Sequence, residues 1–190
     1  MKIGIIVGST RNGRAGESVG QWVAKQAAER TGAEYELVDL AAYNLPMFDE
    51  ATHPMMANKK YASAEVQAWS DKIDQFDGYI FITPEYNHSV PAAFKNAVDS
   101  LGSEWVGKAL SLVGYGAVGG VRAIEHWRQI TANFSMAVTR AEVNLSLFTD
   151  FAEGVCTPAG MQDQQLGKVF DELEQLTGAI LSVAGANANA

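Results

Sequence analysis

Apolar residues in this chain alternate between short continuous runs and helical stripes. Lys2 to Val7 is a branched apolar run cut off at Gly8, which predicts a buried parallel strand. From Glu17 to about Arg30, Val19, Trp22, Val23 and Ala27 recur at helical spacing, and Thr31-Gly32 ends that helix. Glu34–Leu40 alternates and predicts a strand nearer an edge. Residues 41–61 form a long connection in which Pro46 and Pro54 are expected to break regular structure; such loops are functional or flexible. Ser63–Phe76 carries Val66, Trp69, Ile73 and Phe76 on one helical stripe. Tyr79–Pro84 is so apolar that only a central strand needs it.

The second half repeats the alternation. Pro91–Leu101 begins on a proline suited to a helix start, and Lys108–Gly116 is a fourth strand. Val121–Phe134 is a helix, and Met136–Phe148 holds a fifth strand of ambiguous register. Gln162–Val183 predicts the last helix, with residues 185–190 as a frayed tail. Trp22, Trp69 and Trp127 read as core, and Trp105 as packing at a strand base or a subunit contact. Strict strand–helix alternation without a linker predicts one α/β domain over residues 1–190. Its five-stranded parallel sheet would carry helices on both faces, joined by right-handed crossovers.

Composition narrows the function classes. With 14 Lys and Arg against 22 Asp and Glu, the net charge is −8, which argues against nucleic acid or an anionic membrane as partner. Cys156 is the single cysteine, so no intrachain disulfide forms, and His53, His88 and His126 are too scattered to suggest a metal site. No apolar run approaches a membrane span, and no leader-like segment opens the chain; a cytoplasmic location is expected. Met47, Met55 and Met56 read as gap-fillers or as the border of an adaptable substrate pocket, the first being the simpler; Lys59-Lys60 reads as a solvated pair, and Cys156 has no activating neighbour.

Candidate chemistry collects at strand ends. In doubly wound sheets, ligands bind beyond the carboxyl ends of the strands, where strand order reverses. Three unusual loops fall there: Gly-Ser-Thr-Arg-Asn-Gly-Arg from Gly8, Thr-Pro-Glu-Tyr-Asn-His-Ser-Val from Thr83, and Gly-Tyr-Gly-Ala-Val-Gly-Gly from Gly114. They line one crevice if the first and third strands are neighbours. The first loop offers hydroxyls, two arginines and a helix start, as a phosphate requires; a tight turn with solvated arginines is the plainer alternative. Pro84 and Pro91 stiffen the second, leaving amides free for a planar heterocycle, with Tyr86 offering a ring face. The glycines of the third are more than a turn needs and suggest close approach of a flat ligand. His88 is a conceivable acid, though a structural hydrogen bond is the simpler role.

These loops, together with the flanking Pro-Ala-Ala-Phe-Lys-Asn-Ala-Val-Asp and Gly-Lys-Ala-Leu-Ser-Leu-Val segments, resemble the NADPH-dependent FMN reductase family, whose members include azo-, quinone and chromate reductases. The likeness runs from Ile3 to about Ile130, and Pro-Glu-Tyr-Asn is its most specific part. The resemblance implies a flavodoxin-like three-layer sandwich and a noncovalent FMN. Its phosphate would rest on Ser9, Arg11, Arg14 and Ser18, and its ring along Pro84, Glu85, Tyr86 and Asn87, near Gly114 and Gly116. NADPH or NADH would donate a hydride to the flavin, which carries the chemistry, so no catalytic side chain is assigned. Quinones, free flavin or azo dyes would accept the electrons by a ping-pong route. A homodimer or homotetramer is expected from the resemblance, its boundary supplied by the long connection or the helix from Pro91. The competing classes are a flavodoxin-type electron carrier and a non-redox module on the same fold. The arginines of the first loop and the Pro-Glu-Tyr-Asn segment favour the enzyme.

Overall fold

The computed structural model describes residues 1–188, with side chains through residue 186. Five parallel strands form the main sheet: β1 (Lys2–Val7), β2 (Glu34–Asp39), β3 (Gly78–Pro84), β4 (Ala109–Gly116) and β5 (Ala137–Ser146). Their order is β2-β1-β3-β4-β5, so the winding reverses between β1 and β3, which pair directly from Ile3–Gly78 to Val7–Ile82. This is the flavodoxin-like order. β3 lies at the centre with every residue buried, which is why its sequence lacks alternation, while β2 lies at an edge and alternates.

Helices α1 (Gly16–Ala27) and α5 (Gly160–Ala188) cover one face; α2 (Ala64–Ile73), α3 (Ala92–Asp99) and α4 (Val121–Ala132) cover the other. The α2–α4 face centres on fully buried Trp69, Trp105 and Trp127. Each indole N–H finds an acceptor: Trp69 the Ala97 carbonyl at 2.9 Å, Trp105 the Val98 carbonyl at 3.1 Å, and Trp127 the Thr83 hydroxyl at 3.0 Å. Trp105 thus belongs to the core and not to a surface. Trp22 departs from the expected core role: it is half-buried, and its indole N–H donates to Asp163 at 3.0 Å.

Several boundaries differ from the sequence expectation for identifiable reasons. α1 stops at Ala27, and Arg30 beyond it turns to Glu174 and Asp171 on α5. Ser63 caps α2 by accepting the Val66 amide instead of lying inside it. The long connection carries two short 3₁₀ turns, Leu40–Tyr43 and Pro54–Met56; Pro54 begins the second, where its missing N–H costs nothing. Lys59 is paired with Asp74 at 2.6 Å and is not simply solvated. In β5, register slips between the partners of Leu110 and Leu112, a bulge that explains its poor alternation. Residues 151–156 form a small antiparallel pair, β6 (Phe151–Ala152) and β7 (Val155–Cys156), that no pattern announced. The expected frayed tail is helical to residue 188, and residues 189–190 lie outside the described residues.

Candidate cofactor site

Because β1 and β3 are neighbours, all three loops gather at the carboxyl edge of the sheet. The β1 loop leads into α1, whose cap position holds Ala15 and supplies no side-chain hydrogen bond. The first amides of α1 therefore lack a side-chain acceptor, and the positive end of the helix dipole faces the loop. Ser9 is buried, and its Oγ lies 2.8 Å from the Tyr86 hydroxyl, joining the first loop to the third-strand loop. Arg11 is exposed at the rim. Arg14 folds back to pair with Asp39 at the end of β2, while its Nε is buried without a hydrogen-bond partner.

Ser18 is not brought into this set. Its hydroxyl donates to the Ala15 carbonyl at 2.7 Å and accepts the Cys156 amide at 2.9 Å, tying α1 to the β6–β7 pair. Cys156 is buried there, and burial pushes its thiol up to about 12, so the thiol stays protonated. A residue the sequence did not single out is Tyr115, which lies between the two glycines assigned to the ring. Its side chain is buried, and its hydroxyl faces the start of α1 at Gly16. A Cβ at Gly16 would lie 2.5 Å from that hydroxyl, so α1 must begin on glycine for Tyr115 to enter. Burial raises the Tyr115 phenol above its ordinary range, keeping it a neutral donor. The only signal for it was an aromatic residue in an otherwise small-residue segment.

The loop after β3 is a tight hairpin. Tyr86 and Ser89 exchange backbone hydrogen bonds at 3.0 and 3.1 Å, and the two residues between them, Asn87 and His88, have φ of 50° and 68°. Two left-handed residues in a two-residue hairpin make a type I′ turn, which Asn favours and His tolerates. The turn engages the Tyr86 amide and leaves those of Asn87 and His88 outside its hydrogen bonds. Pro84, buried, closes β3 below it.

α4 grips this hairpin twice. The Glu85 carboxylate accepts the Arg122 guanidinium at 2.8 Å and the Arg122 amide at 3.0 Å, capping α4 from another element. Burial alone would raise the Glu85 carboxyl, but the Arg122 side chain and the helix amides outweigh it and hold the group below its ordinary value. The Ser89 hydroxyl lies 2.9 Å from Nδ1 of His126, so half-buried His126 supports the hairpin and is not a free surface residue. His88 is exposed at the hairpin tip, and His53 accepts the Met55 amide at 3.2 Å in the long connection.

The glycines of the β4 loop also serve the chain's own packing. A Cβ at Gly114 would lie 2.8 Å from the Gly119 carbonyl, and one at Gly120 would lie 2.7 Å from the Tyr115 amide. Gly116 stands beside Glu85, whose Cβ would be 3.4 Å away from an added methyl. The chain approaches itself here, to start α4 at a left-handed Gly120 (φ 74°) directly over β4.

The model of the NADPH-dependent FMN reductase family matches residues 1–150, from β1 through the end of β5. The chain belongs to this family. An NAD(P)H-dependent FMN reductase of Schizosaccharomyces pombe is 37% identical over 92% of this chain and 90% of its own. A quinone reductase of Escherichia coli is 29% identical over 95% of this chain and 92% of its own. Among solved structures, the flavoenzyme NAD(P)H:(acceptor) oxidoreductase FerB of Paracoccus denitrificans superposes with a TM-score of 0.71 over 94% of this chain and 97% of that one, at 23% identity.

The family implies FMN, and the residues present fit its phosphate end. An uncapped α1 start, a buried Arg14 Nε lacking a partner, exposed Arg11 and the hydroxyls of Ser9 and Tyr115 compose a donor set of the kind a phosphomonoester needs.

Proposed function

We propose that the protein is an NAD(P)H-dependent oxidoreductase that binds FMN noncovalently across the β1, β3 and β4 loops and reduces quinones and related acceptors. Belonging to the FMN reductase family supports the reaction class. The single observation that carries the cofactor reading is the orphaned, buried Arg14 Nε beside a helix start without a side-chain cap. Although Asp39 meets the other end of the guanidinium, a buried N–H without an acceptor is costly unless a ligand atom completes it.

Bound FMN supplies two-electron redox chemistry that no side chain of this chain offers. Ser9, Arg11 and Arg14 hold the phosphate, with Tyr115 as a further donor. Ser18 contributes indirectly, by fixing the first turn of α1. Pro84, Glu85, Tyr86, Asn87, Gly114 and Gly116 form the rim along which the ring lies. Within that rim the roles divide. The Glu85 carboxylate secures the hairpin to α4 instead of meeting the ligand. The free amides of Asn87 and His88 present donors to negative charge on the ring. Tyr86, 36% exposed, covers the passage between the two loops.

The nicotinamide and the acceptor use the same open side of the rim in turn, which predicts ping-pong kinetics and tolerance of quinones, free flavin and azo dyes. Initial rates at several fixed NADPH concentrations test this: parallel double-reciprocal lines agree with a shared face, and intersecting lines contradict it. We also propose a homodimer or homotetramer, with the long connection or α3 at the boundary. Exposed Phe48 and Met56 of that connection are apolar surface that a second copy would cover.

A further inference from the structure

A cleft of about 330 Å³ opens beside the β1 loop, on the side away from α1. Thr10 forms one edge. Leu40, Ala41, Asn44, Leu45 and Met47 of the β2–α2 connection form one wall, and Ala93 and Asn96 of α3 form the other. Asn96 builds the cleft. Its Nδ2 donates to the Pro46 carbonyl at 2.8 Å and its Oδ1 accepts the Phe48 amide at 2.8 Å, so α3 holds the connection in place. The 3₁₀ turn Leu40–Tyr43 ends on a left-handed Asn44 (φ 47°), which sets the course of the same wall.

No charged side chain lines this cleft, although acidic residues dominate the molecule and arginines stand in the adjoining loop. Aliphatic side chains and polar groups share its lining about equally, and Thr10 and Asn44 can donate hydrogen bonds. The volume is at the lower end of the roughly 300–1,000 Å³ of small-molecule sites, too small for a whole dinucleotide. An uncharged one- or two-ring compound with carbonyl acceptors matches both size and chemistry.

We infer that this cleft is a subsite for the ring of an uncharged quinone. The assignment rests on the reductase reading for its meaning, since a quinone is the acceptor class proposed above. Thr10 follows Ser9 in the chain, so the subsite adjoins the phosphate cradle from the β2 side and is distinct from the rim formed by the β3 and β4 loops. It would hold acceptor beside the cradle until the nicotinamide product has left the shared side of the rim, so that acceptor affinity can change without nicotinamide affinity.

Binding of 1,4-naphthoquinone to the oxidised, FMN-loaded protein without NAD(P)H is measured by calorimetry and saturation-transfer NMR. Ala93→Trp and Leu45→Trp fill the cleft from opposite walls, so one remains if the other does not fold. Each is expected to weaken naphthoquinone binding by about tenfold or more. FMN affinity and the rate of flavin bleaching by NADPH should stay unchanged. The negatively charged 1,4-naphthoquinone-2-sulfonate should bind the wild type less well than the parent compound. Wild-type affinity in the folded variants, or equal affinity for the sulfonate, overturns the assignment. The same titration on the FMN-free chain separates the two proposals: a protein that refuses FMN but still binds naphthoquinone in this cleft contradicts the reductase reading and not the subsite.

Discussion

In the proposed site, individual side chains at the carboxyl edge divide into those assigned to meet a ligand and those that keep the edge in shape. Arg11 belongs to the first group. A charge-assisted phosphate bond contributes about 1.5–3 kcal/mol, so Arg11→Ala should weaken FMN binding by roughly ten- to a hundredfold while leaving the melting temperature nearly unchanged. Fluorescence titration with FMN measures it, and riboflavin, which lacks the phosphate, should show no such difference. Glu85 belongs to the second group. Its carboxyl is held below its ordinary value of 4.5 by the Arg122 clamp. A carboxyl lowered on folding adds stability that is fully present above that value and is lost as pH falls through the folded one. The stability gap between wild type and Glu85→Gln should therefore be widest at neutral pH and close in acid. Denaturant melts from pH 7 downward check the sign, and a gap that widens in acid contradicts the clamp.

Elements place these residues, and their local rules give their own tests. The hairpin between β3 and α3 needs left-handed backbone at both central residues. His88→Gly should be neutral or slightly stabilising, whereas His88→Val, branched at a positive φ, should cost about 1–3 kcal/mol in a chemical melt. At the end of β1, a Cβ on Gly8 would lie 1.9 Å from Cδ1 of Phe94, so Gly8→Ala should destabilise strongly and be partly rescued by Phe94→Leu. Much of this layer was legible beforehand. β3 declared itself central through its unbroken apolar run, and β2 declared itself peripheral through alternation. Other features depended on distant partners that periodicity does not encode. Tyr115 matters because Gly16 leaves room for its hydroxyl, Ser18 is drawn to Cys156, and Glu85 caps a helix that begins 36 positions later at Val121. The β4-loop glycines show the same dependence, since Gly114 and Gly120 make room for the chain's own backbone at the start of α4.

At the scale of the whole molecule, the reversal of strand order between β1 and β3 creates the crevice, and the two helical layers hold its rims at fixed separation. Among the described residues no helix is long and apolar enough to cross a membrane. Exposed methionine and phenylalanine on the long connection argue for self-association, and light scattering should return a mass above the 20.4 kDa of one chain; that value itself would contradict the oligomer. The central claim is that the cradle and hairpin together hold FMN for reduction by a nicotinamide. The visible spectrum of the protein incubated with FMN, freed of excess and then titrated with NADPH without oxygen, tests it directly. The account predicts retained flavin absorbance that bleaches on NADPH addition and returns when a quinone is added. A protein that retains no flavin, or whose bound flavin stays oxidised under NADPH and NADH alike, would contradict it.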